Sequence, residues 1–317
     1  MAQRPTVVLL GDVMVDLVAR LEGPLAHGSD SPARITAHGG GAAANTASWL
    51  VEAGAHAVLL GRVGRDAAGR AIEAELREAG VEVRFTTDPE LATGMVLVLA
   101  DPDGERTMVP DPGANASLRA EHLPSEVFRQ GAHLHLSGYT LLKPQAREAG
   151  LAGLALARGA GMTVSVDAAS AGPLASVGPR RFLDWIAGAD LLFANRDEAL
   201  LLAGLADPPH AAARILAASV GTAVVKLGAD GALAQGRDGG FAETGPVAGA
   251  SSTDLPTRLE TTGAGDAFAA GFLVAWLAEA ALDRALAAGA ALAAEAVRMT
   301  GARPNRNRTS LVKNIYI

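Results

Sequence analysis

Short apolar runs alternate with longer stretches of helical periodicity along most of this 317-residue chain, and that alternation narrows the fold more than any other feature. The runs at 7–10, 57–61, 133–137, 163–167, 191–194 and 223–227 have the length and continuity of fully buried strands. Helical spacing occupies 67–79, 145–158, 180–187 and 211–217 between them. Strands separated by helices build βαβ crossovers, so the chain is expected to form a mainly parallel α/β sheet covered on both faces. Hydrophobic residues at 49% and charged residues at 19% support a packed core, and aromatics at only 4% leave Ala, Val and Leu to fill it.

Two segments, 17–37 and 91–112, break the pattern with alternating apolar residues punctuated by Gly, Pro and Asp. The second places Asp101-Pro-Asp-Gly104 between two alternating runs, which reads as a hairpin. Such pieces form either a small β-sheet inserted in the α/β domain, able to act as a lid, or a pair of ordinary surface hairpins.

Charge and residue usage exclude several classes. Acidic residues outnumber Lys plus Arg by 34 to 27, a formal charge of −7, so no basic stripe is available for a nucleic-acid backbone. The absence of cysteine removes disulfides, thiolate catalysis and Cys-ligated zinc. Residues 1–5 lead directly into an apolar run too short for a signal-peptide core, and the Ala-rich stretch 264–296 is interrupted by Asp266, Glu279, Asp283, Arg284 and Glu295. The expectation is a single domain over 1–317, in the cytoplasm and off the membrane.

Glu260-Thr-Thr-Gly-Ala-Gly-Asp266 precedes an apolar pattern over 267–281 that predicts a buried helix. Glycines at 263 and 265 let backbone amides turn inward where the helix dipole is positive, which makes an anion site beside the Asp266 carboxylate. That pairing suits phosphoryl transfer, with Asp accepting the proton of an attacking hydroxyl. A carboxylate of ordinary pKa, about 3.9, is a weak base for an alcohol and would take the proton late. An Asp that merely caps the helix fits the same residues.

Thr261-Thr-Gly-Ala-Gly-Asp266-Ala-Phe resembles the second signature of the ribokinase-like (PfkB) carbohydrate kinases, and Gly39-Gly-Gly-Ala-Ala-Ala-Asn45 resembles the first. Gly11-Asp-Val-Met-Val-Asp16, Asn195-Arg-Asp-Glu198 and Lys226-Leu-Gly-Ala-Asp-Gly231 are similar to three further family motifs, in the same order. The resemblance implies a three-layer α/β/α fold with a β-lid through which members often form homodimers. It implies ATP-dependent phosphorylation of a hydroxymethyl group on a small sugar or sugar acid. Asp16, Gly40, Gly41 and Asn45 would bind that substrate; Gly263, Ala264 and Gly265 would form the anion hole, with Asp266 as base. Asn195, Lys226, Gly228 and Gly231 would contact the nucleotide, and Glu198 would face Mg2+ through water. On local pattern alone, Asn195 and Glu198 read as a helix N-terminus with its capping-box partner.

Departures from the pattern widen the substrate range. Met14 stands where ribokinases have Asn, Ala42 where they have Lys, and no acidic residue follows the 133–137 run, which continues Gly138-Tyr139. Fructose, 2-keto-3-deoxygluconate and nucleosides therefore stand beside ribose, and a nucleoside kinase or a non-catalytic sugar-binding protein are the alternatives. Glu260 replaces the family's Asp at a position that helps hold K+ in some members. Gly39–Ala44 also satisfies a dinucleotide fingerprint but does not follow the first strand. His133 and His135 share a strand face but lack a third metal ligand, and so are expected to be packed or hydrogen-bonded. The residues after Gly301 are basic and irregular.

Overall fold

The computed structural model describes residues 4–102, 106–245, 263–299 and 301–304. Its strands in chain order are β1 (Thr6–Leu10), β2 (Met14–Leu21), β3 (Ala33–Gly40), β4 (His56–Gly64), β5 (Glu82–Asp88), β6 (Gly94–Ala100) and β7 (Arg106–Asp111). They continue as β8 (His133–Ser137), β9 (Thr163–Asp167), β10 (Leu191–Asn195), β11 (Thr222–Lys226), β12 (Ala232–Gly236) and β13 (Phe241–Thr244). Nine form one sheet in the order β13-β12-β11-β10-β9-β8-β1-β4-β5. All neighbours from β11 to β5 are parallel, and β12 and β13 add an antiparallel edge.

Alternation along β1 shows why both faces are covered. Val8 and Leu10 enter one core with Leu134, Leu136, Val164 and Leu192, beneath the helices Arg147–Gly159 and Pro209–Ser219. Val7 and Leu9 enter the other with Leu59, Phe193 and Val224, against the helices Ala42–Glu52 and Ala264–Leu277. The apolar pattern expected to run as one helix to 281 stops at Leu277, because Glu279 takes a left-handed φ of 59° before a second helix, Leu282–Ala296. His133 and His135 point into the second core. Thr163 and Ser165 hydrogen-bond His133 at 2.8 and 2.7 Å, Ser165 also bonds His135 at 2.7 Å, and burial holds both rings neutral, near 3 and 4.

The two interrupting segments supply a separate four-stranded sheet, β3-β2-β6-β7, the lid. Its strands start earlier and end later than the pattern suggests, at Met14 and Gly40, because the flanking glycines continue the ladder. The hairpin residues Asp103 and Gly104, and the tail from 305 onward, lie outside the described residues. Among the described residues no helix is long and apolar enough to cross a membrane.

Asn115 fastens the lid to the main sheet. Its amide accepts from Val13 N at 2.9 Å and donates to the carbonyls of Val13 and Pro112 at 2.9 and 3.0 Å, with the residue only 6% exposed. Removing it strands two backbone groups of Val13 at the β1–β2 passage. Asn115→Ala should therefore lower stability by about 2–4 kcal/mol in urea titration; a loss under about 0.5 kcal/mol would contradict the tether.

Candidate active site

The carboxyl edge of the parallel strands gathers the polar residues, as open α/β sheets require. Asp12 follows β1, Ser137 ends β8, Asp167 ends β9, Asn195 ends β10 and Lys226 ends β11. The lid contributes Asp16 from β2 and Gly40 from β3. Gly41 then turns the chain into the helix Ala42–Glu52 with φ 93°, close against the Asp12 carbonyl, where a side chain has no room. Asp12 braces that turn by accepting from Ala42 N at 3.1 Å and from the Ser137 hydroxyl at 3.0 Å.

Asp266 lies in the first turn of Ala264–Leu277, whose N-cap Gly263 has a left-handed φ of 83°. A side-chain carbon on Gly263 would stand 2.5 Å from the Ala302 carbonyl, so glycine is required for close approach as well as for backbone shape. Asn45 Nδ2 donates to Asp266 Oδ2 at 2.9 Å across 221 residues of sequence. Lys226 Nζ reaches into the same space, 3.2 Å from where a side chain on Gly265 would begin, and pairs with Asp167 at 2.9 Å. The lysine thus faces the helix N-terminus. Helix-start amides, a fixed cation and no side chain at Gly265 fit phosphate oxygens.

Asn195 and Glu198 form a reciprocal capping box on the helix Arg196–Ala203. Asn195 Oδ1 accepts from Glu198 N, and the Glu198 carboxylate accepts from Asn195 N at 2.8 Å and Asn195 Nδ2 at 2.7 Å. Among the described residues no cluster of three or more His, Cys, Asp or Glu could hold a metal ion. With both Glu198 oxygens engaged, direct ligation does not fit, whereas contact through the retained waters of Mg2+ does. Gly228 has φ 65° in a short 3₁₀ turn, and Gly231 lies beneath the carbonyls of Thr244 and Gly245, which explains its lack of a side chain without a ligand. Glu260 lies outside the described residues.

Crowding of carboxylates sets the electrostatics. Burial pushes Asp266 up to about 8; the Asn45 amide pulls it down, Asp167 and Asp12 push it further up, and Lys226 opposes them. Asp266 is therefore not the ordinary carboxylate expected from sequence, and a value near neutrality makes it a far better proton acceptor. Burial likewise raises Asp16 to about 6, with Arg303 pulling down and Asp12 pushing up. Burial and Asp167 raise Glu198 to about 7, against Lys226. Such a set invites a cationic partner.

Asp12, Ser137, Asp167 and Arg303 are site residues that sequence reasoning did not single out. Asp167 had a usable signal, a carboxylate at the C-terminal end of a buried parallel strand. Arg303 had none.

A family model described as pfkB family carbohydrate kinase matches residues 4–309, and the chain belongs to that family. An ATP-dependent ribose-1-phosphate kinase of Halopiger xanaduensis is 32% identical over 305 residues, covering 94% of this chain and 93% of its own. A fructokinase of Klebsiella pneumoniae is 32% identical over 298 residues, covering 90% and 89%. The solved adenosine kinase of Sinorhizobium meliloti superposes with a TM-score of 0.83 at 24% identity, covering 98% of both chains.

The raised carboxyls have a consequence for stability. Between its unfolded value near 4 and its folded value about 8, Asp266 keeps a proton in the folded state that the unfolded state has lost. Stability then falls as pH rises through that window, and Asp16 and Glu198 act in the same direction. Asp266→Asn should flatten part of this decline and melt higher than the wild type at pH 8.5. A variant that melts lower there would contradict the assignment.

Proposed function

We propose that this protein transfers the γ-phosphoryl group of ATP to a hydroxymethyl group of a small sugar or sugar-like acceptor, with Asp266 as the catalytic base. The observation that carries the reading is the start of Ala264–Leu277, where a carboxyl raised to about 8 shares a helix N-terminus with Gly263, Gly265 and the Lys226 ammonium. The acceptor oxygen bonds to the γ-phosphorus as the bond from that phosphorus to the β–γ bridging oxygen breaks. ADP leaves with the electron pair, and the hydroxyl proton passes to Asp266.

The amides at Gly263, Ala264 and Gly265 and the Lys226 Nζ stabilise the charge on the transferring oxygens. Asp16, Gly40, Gly41 and Asn45 hold the acceptor, and Asn195, Gly228 and Gly231 line the nucleotide side. Glu198 and Asp167 would hold Mg2+ through its water shell, and the ion would supply neutralisation of the triphosphate charge. Lid closure would exclude water from the reaction. A monovalent cation near Glu260 and a cytoplasmic location complete the proposal.

The relatives' names span a sugar phosphate, a hexose and a nucleoside. The nucleoside alternative draws on Tyr139, whose phenol lies in the field of Asp12, Asp167 and Glu198 and whose ring could stack on a base. ADP release should be measured with ribose 1-phosphate, fructose, 2-keto-3-deoxygluconate and adenosine, with and without K+. One acceptor should stand out. Asp266→Asn should keep nucleotide affinity and lose turnover by about 10²–10⁴-fold; retained turnover would reject the base.

We also propose pairing of two copies through the lids. By register, Ile35, Met95, Leu97 and Val109 share the face opposite Asp16, with Ile35 at 64% and Val109 at 53% exposed. Ile35→Lys with Val109→Lys should convert a sedimenting dimer to monomer; a monomeric wild type would reject the pairing.

A further inference from the structure

Arg303 belongs to none of the motifs discussed above, yet it is only 7% exposed and its guanidinium reaches three parts of the active-site wall. Nε donates to Asn45 Oδ1 at 3.2 Å, Nη1 to Glu75 Oε1 at 3.0 Å, and Nη2 to the Gly40 carbonyl at 2.6 Å. Its segment is anchored without it. The Trp49 indole donates to the Ala302 carbonyl at 2.9 Å, and Gly263 packs on Ala302. Burying a guanidinium against one half-exposed carboxylate is a poor source of stability, since an apolar side chain would fill the space at less cost.

The contact with Asn45 has a clearer chemical consequence. An amide presents one accepting and one donating end, and arginine can only donate. The end facing Arg303 must therefore be oxygen, which leaves the NH2 for Asp266 Oδ2, as found at 2.9 Å. The flipped amide would set NH2 against a guanidinium and oxygen against a carboxylate. We propose that Arg303 is a positioning residue that locks the Asn45 amide in the orientation that aims and hydrogen-bonds Asp266. The inference rests on Asp266 acting as the base.

Among the described residues, the groups acting on both carboxyls are few. Asp16 faces Arg303 and Asp12; Asp266 faces Asn45, Asp167, Lys226 and Asp12. Loss of the Arg303 charge releases its pull on Asp16, while loss of the fork frees Asn45 and so affects Asp266. The two effects are separable by substitution. Lys keeps the charge without the fork, and Gln removes both.

The test uses Arg303→Gln, Arg303→Lys and Asn45→Ala, assayed with whichever acceptor of the four-compound panel turns over fastest. Both arginine variants should lower kcat by about 10- to 100-fold at unchanged nucleotide affinity. In the Asn45→Ala background Arg303→Gln should cost less than about twofold more, because the two residues act in series. Carbon-13 titration of the ligand-free protein should place Asp16 higher in Arg303→Gln and near its wild-type value in Arg303→Lys. Unchanged kcat, or losses that multiply in the double variant, would overturn the inference. If Arg303→Gln fails to fold, Arg303→Lys carries the kinetic comparison alone. A fully active Asp266→Asn would instead reject the base itself, a result distinct from an inactive Asp266→Asn beside an unaffected Arg303→Gln.

Discussion

The hydrogen bond from Asn45 to Asp266 joins the two halves of this site, and the arrangement of the described residues converges on it. Asn45 comes from the first helix after the lid strand β3, and Asp266 from the first turn of the helix Ala264–Leu277. The bond holds a buried carboxyl that would otherwise be free to turn away from its partners. It also lies where the proposed acceptor side, with Asp16 and Gly40, meets the proposed phosphate side, with Gly265 and Lys226. Geometry for a reaction between two substrates requires such a junction.

Around it the described residues concentrate negative charge that their own cations balance incompletely. Asp12, Asp16, Asp167, Glu198 and Asp266 stand near two cations, Lys226 and Arg303. Lys226 pairs with Asp167 and Arg303 with Glu75. Burial raises Asp16, Glu198 and Asp266 toward neutrality. Asp12 and Asp167 lie beyond the last buried apolar residues of β1 and β9, so those strand ends supply them without disturbing either core. Perturbed carboxyls at the open edge of a sheet are the signature of chemistry rather than of packing.

Much of this was legible before the structure. β8 and β9 fall on the apolar runs to the residue, because strands buried on both faces carry continuous hydrophobic side chains. The glycine-rich segment before Asp266 located the helix start at Gly263, where backbone shape leaves a local mark. What sequence hid was either weakly apolar or purely tertiary. β5 reads Glu-Val-Arg-Phe-Thr-Thr-Asp, too polar to stand out, and the edge strands β12 and β13 are short and rich in small residues. The value near 8 at Asp266 depends on burial by segments far away in the chain. Arg303 meets Asn45 across 258 residues, with no pattern around it to announce the contact.

The central claim is that Asp266 acts as a base whose proton affinity has been set by this environment. The pH dependence of kcat/KM for phosphoryl transfer, from pH 5.5 to 9.5 with the best acceptor, tests it most directly. A rate that climbs with pH and levels off around an apparent pKa near 8 is the predicted result. A profile that is flat across this range, or that falls through it, would contradict the account.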